Sequence, residues 1–179
     1  AQAGKTVICT REPGGTDVGE EIRRVLLTPG RSLDAGTELL LMFASRAQLV
    51  RSVVRPALAR GAAVVADRFT DASFAYQGGG RGIEASDIRA LETRFVGIQP
   101  DLTLLLDLSV DQGMARAQSR GQSLDRIESE RHDFFLNVRA AYLRRAAEDP
   151  QRIKVIDASQ TAESVVRQVL DALTVWMKA

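Results

Sequence analysis

The sequence predicts an α/β fold in which a parallel sheet is covered by helices on both faces. Three observations predict it. Short apolar runs recur along the chain, and the runs Ala62–Asp67 and Leu102–Leu108, the latter carrying Asp107, read as strands buried on both faces that deliver charge to their carboxyl edge. Between the runs lie segments whose apolar residues recur at helical spacing. Strands that alternate with helices in this way belong to parallel sheets.

The elements follow in order. Residues 1–5 read as the end of a helix stopped at Gly4, and Thr6–Thr10 reads as a short buried strand. The loop Arg11-Glu12-Pro13-Gly14-Gly15 follows, and Asp17 with Glu20 three residues later reads as a capping pair that opens a helix through Leu27, ended by Pro29-Gly30. A longer helix is expected over Gly36–Ala59, where Leu39, Leu40, Phe43, Ala47, Val50, Val54 and Leu58 form a broad apolar stripe and Gly61 closes the segment. After the strand ending in Asp67-Arg68, Gly78-Gly79-Gly80 reads as a turn where backbone approaches a ligand. Helices are then expected near Glu84–Val96 and over Gln112–Arg120, the second running into the polar, mobile stretch Gly121-Gln122-Ser123. Phe134, Phe135, Val138, Tyr142 and Leu143 mark one face of the next helix, Ile153–Ile156 forms a strand, and Thr161 caps a final amphipathic helix ending near Trp176.

Composition narrows the class. At 179 residues, 45% hydrophobic and 26% charged, residues 1–179 suit one globular domain. Such a chain buries roughly 70% of its unfolded surface and needs no covalent staple. With 24 basic and 23 acidic residues the net charge is +1, which argues against a nucleic-acid or membrane role driven by bulk charge. The single cysteine, Cys9, lies in an apolar run and reads as a buried structural thiol in a reducing cytosol. The single histidine, His132, lies among charged residues and reads as a surface group. No apolar stretch approaches the ~20 residues of a membrane span, so the expectation is a soluble, cytoplasmic protein.

Charged residues at the strand ends carry the chemistry. Asp67 can hold a cation and Arg68 can fork onto a phosphate, at the sheet edge where open α/β folds bind ligands. Arg11, Arg23, Arg46, Arg68 and Arg81 lie at strand ends, in glycine-bounded loops or on the helices after them. Convergent guanidinium groups suit phosphoryl transfer, where negative charge spreads over the transferred oxygens. The structural alternative is that each pairs with a local carboxylate such as Glu12, Glu20 or Asp71. Arg116, Arg120 and Arg126 surround a glycine-containing loop that can close over a nucleotide. Gly4-Lys5-Thr6 mimics the tail of a phosphate-binding loop, but a strand follows where that loop requires a helix.

Five pieces in order carry a resemblance: Thr10-Arg11-Glu12-Pro13-Gly14-Gly15, Asp67-Arg68-Phe69, Tyr76-Gln77-Gly78-Gly79-Gly80-Arg81-Gly82, Pro100-Asp101-Leu102-Thr103 and Asp125-Arg126-Ile127-Glu128. Along its whole length the chain resembles the bacterial thymidylate kinases. The resemblance implies a P-loop nucleoside-monophosphate kinase fold with a short mobile lid over residues 116–128, a homodimer, and transfer of the ATP γ-phosphoryl to dTMP with Mg2+. It implies that Arg68 bridges the dTMP phosphate and the transferring group, with Asp67 near magnesium. Arg11 and Arg23 match positions beside the dTMP phosphate, and Glu12 belongs to the same loop. Phe43 resembles the aromatic that stacks on thymine, Arg46 the base-contacting arginine, and Ser73 and Gln77 the groups that read the base edge. Tyr76 sits where the family crowds the sugar 2′ position, and Arg116, Arg120 and Arg126 stand on the ATP side. Two departures are visible. Phe43 precedes Arg46 by three residues where the family spacing is four, a place held here by Met42. The strand, phosphate-binding loop and helix that open the family do not precede the Thr10–Gly15 loop, and the expectation is that the whole protein contains them. The competing readings are another nucleoside or nucleoside-monophosphate kinase of this fold, or a nucleotide-binding dimer module without catalysis.

Overall fold

The computed structural model describes residues 4, 6–121 and 123–178, so most of the helix end expected over residues 1–5, with Lys5, and also Gln122, lie outside the described residues. Among the described residues four short strands alternate with helices: β1 (Val7–Arg11), β2 (Ala63–Asp67), β3 (Thr103–Asp107) and β4 (Ile153–Asp157). The helices are α1 (Asp17–Leu27), α2 (Ala35–Leu49), α3 (Arg55–Ala59), α4 (Thr70–Ser73), α5 (Ala85–Leu91), α6 (Val110–Ser119), α7 (His132–Glu148) and α8 (Ala162–Trp176). The stripe expected over Gly36–Ala59 is one helical run, α2 passing through a π-helical stretch at Val50–Val54 into α3. Its start is set by Asp34, whose carboxylate accepts from the amides of Gly36 and Thr37. Thr16, rather than Asp17, caps α1 by accepting from the amide of Gly19. Glu20 does reach back to the backbone, accepting from the amide of Gly15 at 3.0 Å.

All pairing among the described residues is parallel, as alternation predicts. β1 pairs with β2 from Val7 opposite Ala63 to Arg11 opposite Asp67, and β3 pairs with β4 from Thr103 opposite Ile153 to Asp107 opposite Asp157. Among the described residues these are two separate two-stranded sheets, so β2 and β3 each keep an unpaired edge. Helices join the two pairs. Phe74 enters a cluster with Leu39, Phe43, Val50, Ile88 and Val96, while its neighbour Ala75 enters a second with Phe134, Val138 and Ala141.

Two expectations are corrected here. Gly78-Gly79-Gly80 is no turn: it completes a π-helical stretch, Phe74–Gly80, that continues α4 and packs along α7. A Cβ on Gly79 would lie 2.6 Å from the Cβ of Ala141, and one on Gly80 would collide with the ring of Phe134. The glycines therefore serve helix–helix approach, not ligand approach. Cys9 is exposed, because β1 presents Val7, Cys9 and Arg11 on a face that no described element covers. His132 is on the surface as read, 3.0 Å from Asp111.

Candidate active site

Register brings the two chemical loops together. Arg11 stands opposite Asp67, and the amide of Glu12 donates to the carbonyl of Asp67 at 2.9 Å, so the loop leaving β1 starts beside the turn leaving β2. Gly15 holds that loop close: its φ is +76°, and a Cβ there would press on Leu49 at 2.9 Å. Ser45, fully buried on α2, accepts from the amide of Gly14 at 3.1 Å.

At the centre lies a buried ion pair. Arg46 is 0% exposed, and its Nε donates to Glu12 Oε2 at 2.6 Å. The same guanidinium donates to the hydroxyl of Ser73 at 3.0 Å and to the carbonyl of Phe69 at 3.2 Å, and it lies over the rings of Phe43 and Phe69. An arginine has five N–H groups, so two remain for a ligand. Burial pushes the Glu12 carboxyl up from its ordinary value, and the Arg46 guanidinium pulls it back only in part. Phe43 carries Arg46 on one side and belongs to the core cluster on the other.

Gln77 lies one helical turn beyond Ser73 and is also fully buried. Its amide nitrogen donates to Glu38 Oε1 at 2.9 Å. Glu38 further accepts from Arg81 at 3.1 and 3.3 Å and from Arg126 at 2.6 Å. Burial works against the charge on Glu38, and the hydrogen bonds from Gln77, Arg126 and Arg81 overcome it, leaving its pKa below the usual carboxylate value. Buried oxygens without a partner among the described residues are Thr10 Oγ1, Glu12 Oε1, Gln77 Oε1 and Glu92 Oε1. Three of the four belong to this cluster and its loop, as a site shaped for a polar ligand would leave them.

Arg68 faces the other way. It is the one non-glycine residue with positive φ among the described residues, at +69°, and its guanidinium lies 4.7 Å above the ring of Tyr76. Among the described residues it is in no ion pair, whereas Arg11 pairs with Glu20, and Arg23 donates to the carbonyl of Pro13. Asp67 is likewise exposed and its carboxylate has no described partner, while Asp107, at the equivalent end of β3, is held bidentately by Arg139. Arg68 and Tyr76 open onto a pocket of about 300 Å³ walled by the end of β3, α6 and α7.

The three arginines expected together on a lid are divided. Arg116 donates to the carbonyl of Ala158 and Arg120 pairs with Glu128, both exposed. Arg126 is buried, donating to the carbonyl of Leu26 and to Glu38. Residues 126–129 form a turn in which Asp125 caps the amides of Ile127 and Glu128. Sequence reasoning missed Glu38 and Ser45. The signal for Glu38 was a carboxylate set inside the apolar stripe of α2, which is costly unless it is paired.

A parallel α/β frame with arginines at the carboxyl ends of its strands, beside an aspartate without a described partner, has the form that suits phosphate-bearing ligands. The chain belongs to the thymidylate kinase family, whose family model matches residues 1–169. It is 56% identical over 173 residues to a thymidylate kinase of Pseudomonas putida (strain GB-1), covering 95% of this chain and 81% of that protein. It is 54% identical over 172 residues to one from Pseudomonas fluorescens (strain SBW25), with 95% and 81% covered. The crystal structure of thymidylate kinase from Ehrlichia chaffeensis superposes with a TM-score of 0.75 at 30% identity, over 94% of this chain and 80% of that one. Family membership favours neither the broader kinase reading nor the non-catalytic module.

Proposed function

We propose that the protein transfers the γ-phosphoryl group of ATP to dTMP, giving dTDP and ADP. The observation that carries this is the buried Arg46 with two N–H groups to spare beside the orphaned oxygens of Glu12 and Gln77, a donor and acceptor set suited to a pyrimidine edge. Phe43, buried in the core with Arg46 over its ring, backs the base-reading guanidinium, Ser73 holds Arg46 in place, and Tyr76 crowds the sugar 2′ position. Arg11 and Arg23 hold the acceptor phosphate. Arg68 meets the charge that develops on the transferring group. Asp67, free at the strand end, fits a magnesium ion that keeps one or two carboxylates and otherwise binds water and phosphates. When bound, that ion neutralises phosphate charge. Arg116 and Arg120, on the segment 116–128, serve the ATP side. The unpaired edges of β2 and β3 and the uncovered face of β1 are groups that a further strand would pair and cover.

Acceptor choice tests this reading. With the full-length enzyme, kcat/KM for dTMP exceeds that for dGMP by at least about 10²-fold, because the wrong base leaves buried polar groups unpaired. Equal turnover of the two would refute it.

We also place the enzyme in the cytoplasm, with its nucleotide substrates, as a homodimer. The dimer reading is supported by the outward side of α2, where Leu40 is 60% exposed. Val50, in the same stripe, is buried in the core, and Val53 is half-buried. Sedimentation at micromolar concentration should show a dimer that Leu40→Asp weakens; a wild-type monomer at that concentration contradicts it.

A further inference from the structure

We infer that Glu38 fixes the hydrogen-bonding sense of Gln77, so that the site presents a carbonyl oxygen to the acceptor base and selects a ring N–H. The inference rests on the proposed function and assigns a positioning role to a residue that touches no substrate. Glu38 lies between two guanidinium groups, Arg81 and Arg126, and is 1% exposed. An ionised carboxylate only accepts hydrogen bonds, so whichever amide atom of Gln77 faces it must be the nitrogen. The 2.9 Å contact is that bond. The amide cannot then turn over without setting its oxygen against a carboxylate oxygen, and its own oxygen is left buried and unpartnered.

The consequence for recognition is directional. Ser73, one turn before Gln77, receives Arg46, so donors from Arg46 and the acceptor from Gln77 line one wall. Thymine offers a carbonyl oxygen beside a ring N–H and matches that order. Cytosine offers an amino group beside a ring lone pair and opposes it at both atoms. Arg126 also ties this choice to residues 123–131, because its backbone amide donates to the carbonyl of Leu27 and its side chain to Leu26 and Glu38. The same arginine that seats the turn thus holds the carboxylate that orients the amide.

The test compares kcat/KM for dTMP and dCMP in the full-length enzyme and in Glu38→Gln. A neutral amide at position 38 lets the Gln77 amide turn, so the dTMP preference falls at least about tenfold. A change confined to overall activity, with the preference intact in a folded variant, overturns the inference. Should Glu38→Gln fail to fold, Gln77→Met removes the reading oxygen while leaving Glu38 with both arginines. The preference must then fall to a similar degree, and an unchanged preference overturns the inference equally. A wild type that phosphorylates dTMP while Glu38→Gln keeps its preference sinks only the role of Glu38, whereas an unchanged preference in Gln77→Met removes Gln77 as a reader of the base as well. A wild type inactive on dTMP sinks the function itself, and this inference with it.

Discussion

Replacing Arg68 with alanine lowers kcat for dTMP phosphorylation by about 10³-fold or more, while KM for dTMP stays within a few-fold. The size follows from where the charge acts. Arg68 has no ion-pair partner among the described residues, so its charge is not spent on the ground-state fold. Its backbone occupies a left-handed conformation, which costs a residue with a side chain about 1–3 kcal/mol and persists where the surroundings enforce it. Asp67 is held in β2 by pairing with Arg11, and Tyr76 fixes the guanidinium 4.7 Å above its ring. Arg68→Lys should recover only part of the loss, since an ammonium lacks the planar fork. Steady-state kinetics decide the matter: a change confined to KM would show that Arg68 binds the acceptor without stabilising the transfer.

Replacing Asp71 with asparagine destabilises the folded protein by about 3 kcal/mol, a large fraction of the 5–15 kcal/mol typical of a domain. Asp71 is 4% exposed and receives Arg145, both terminal nitrogens of Arg152, and the hydroxyl of Thr103. These partners come from α7, from the residue before β4, and from the start of β3, so the carboxylate clamps α4, which follows β2, to the opposite strand pair. No described ladder bond does that. Asp149 still faces Arg152 in the variant, which keeps the cost at the lower end for a broken buried pair. Burial works against the Asp71 charge, but hydrogen bonds and charge from Arg152 and Arg145 outweigh it and hold its pKa below the ordinary 3.8. Its contribution is therefore fully present above that value and is lost as pH falls through the lower, folded one. Urea unfolding from pH 7 down to 3 should show the gap between wild type and Asp71→Asn closing below about pH 4. A gap under 1 kcal/mol at pH 7 would mean that the clamp carries no net stability.

The strand ends and helix periods were legible because each rests on local chemistry. The apolar run closed by Asp67-Arg68 is a strand as read, although Val65 is exposed where burial on both faces was expected, and Thr161 caps α8. What the sequence could not reveal depends on partners distant along the chain. Gly78-Gly79-Gly80 looked like a turn because the rings and methyls that require those glycines, Phe134 and Ala141, lie more than fifty residues away. Arg126 read as a mobile lid group until Glu38, 88 residues earlier, was seen to hold it. Cys9 sits in an apolar strand, but burial requires a covering layer as well as an apolar run, and the described elements place none on that face. Phe43 shows the limit from the other side: core packing and contact with Arg46 are both true of it.

The most direct measurement follows the phosphoryl group itself. Full-length enzyme is given ATP, Mg2+ and dTMP, and the phosphorus species are resolved by 31P NMR. dTDP and ADP are expected in equal amounts, with no inorganic phosphate beyond background while the acceptor lasts. ADP that accumulates with inorganic phosphate and without dTDP, or no turnover of dTMP at all, would contradict the proposed transfer.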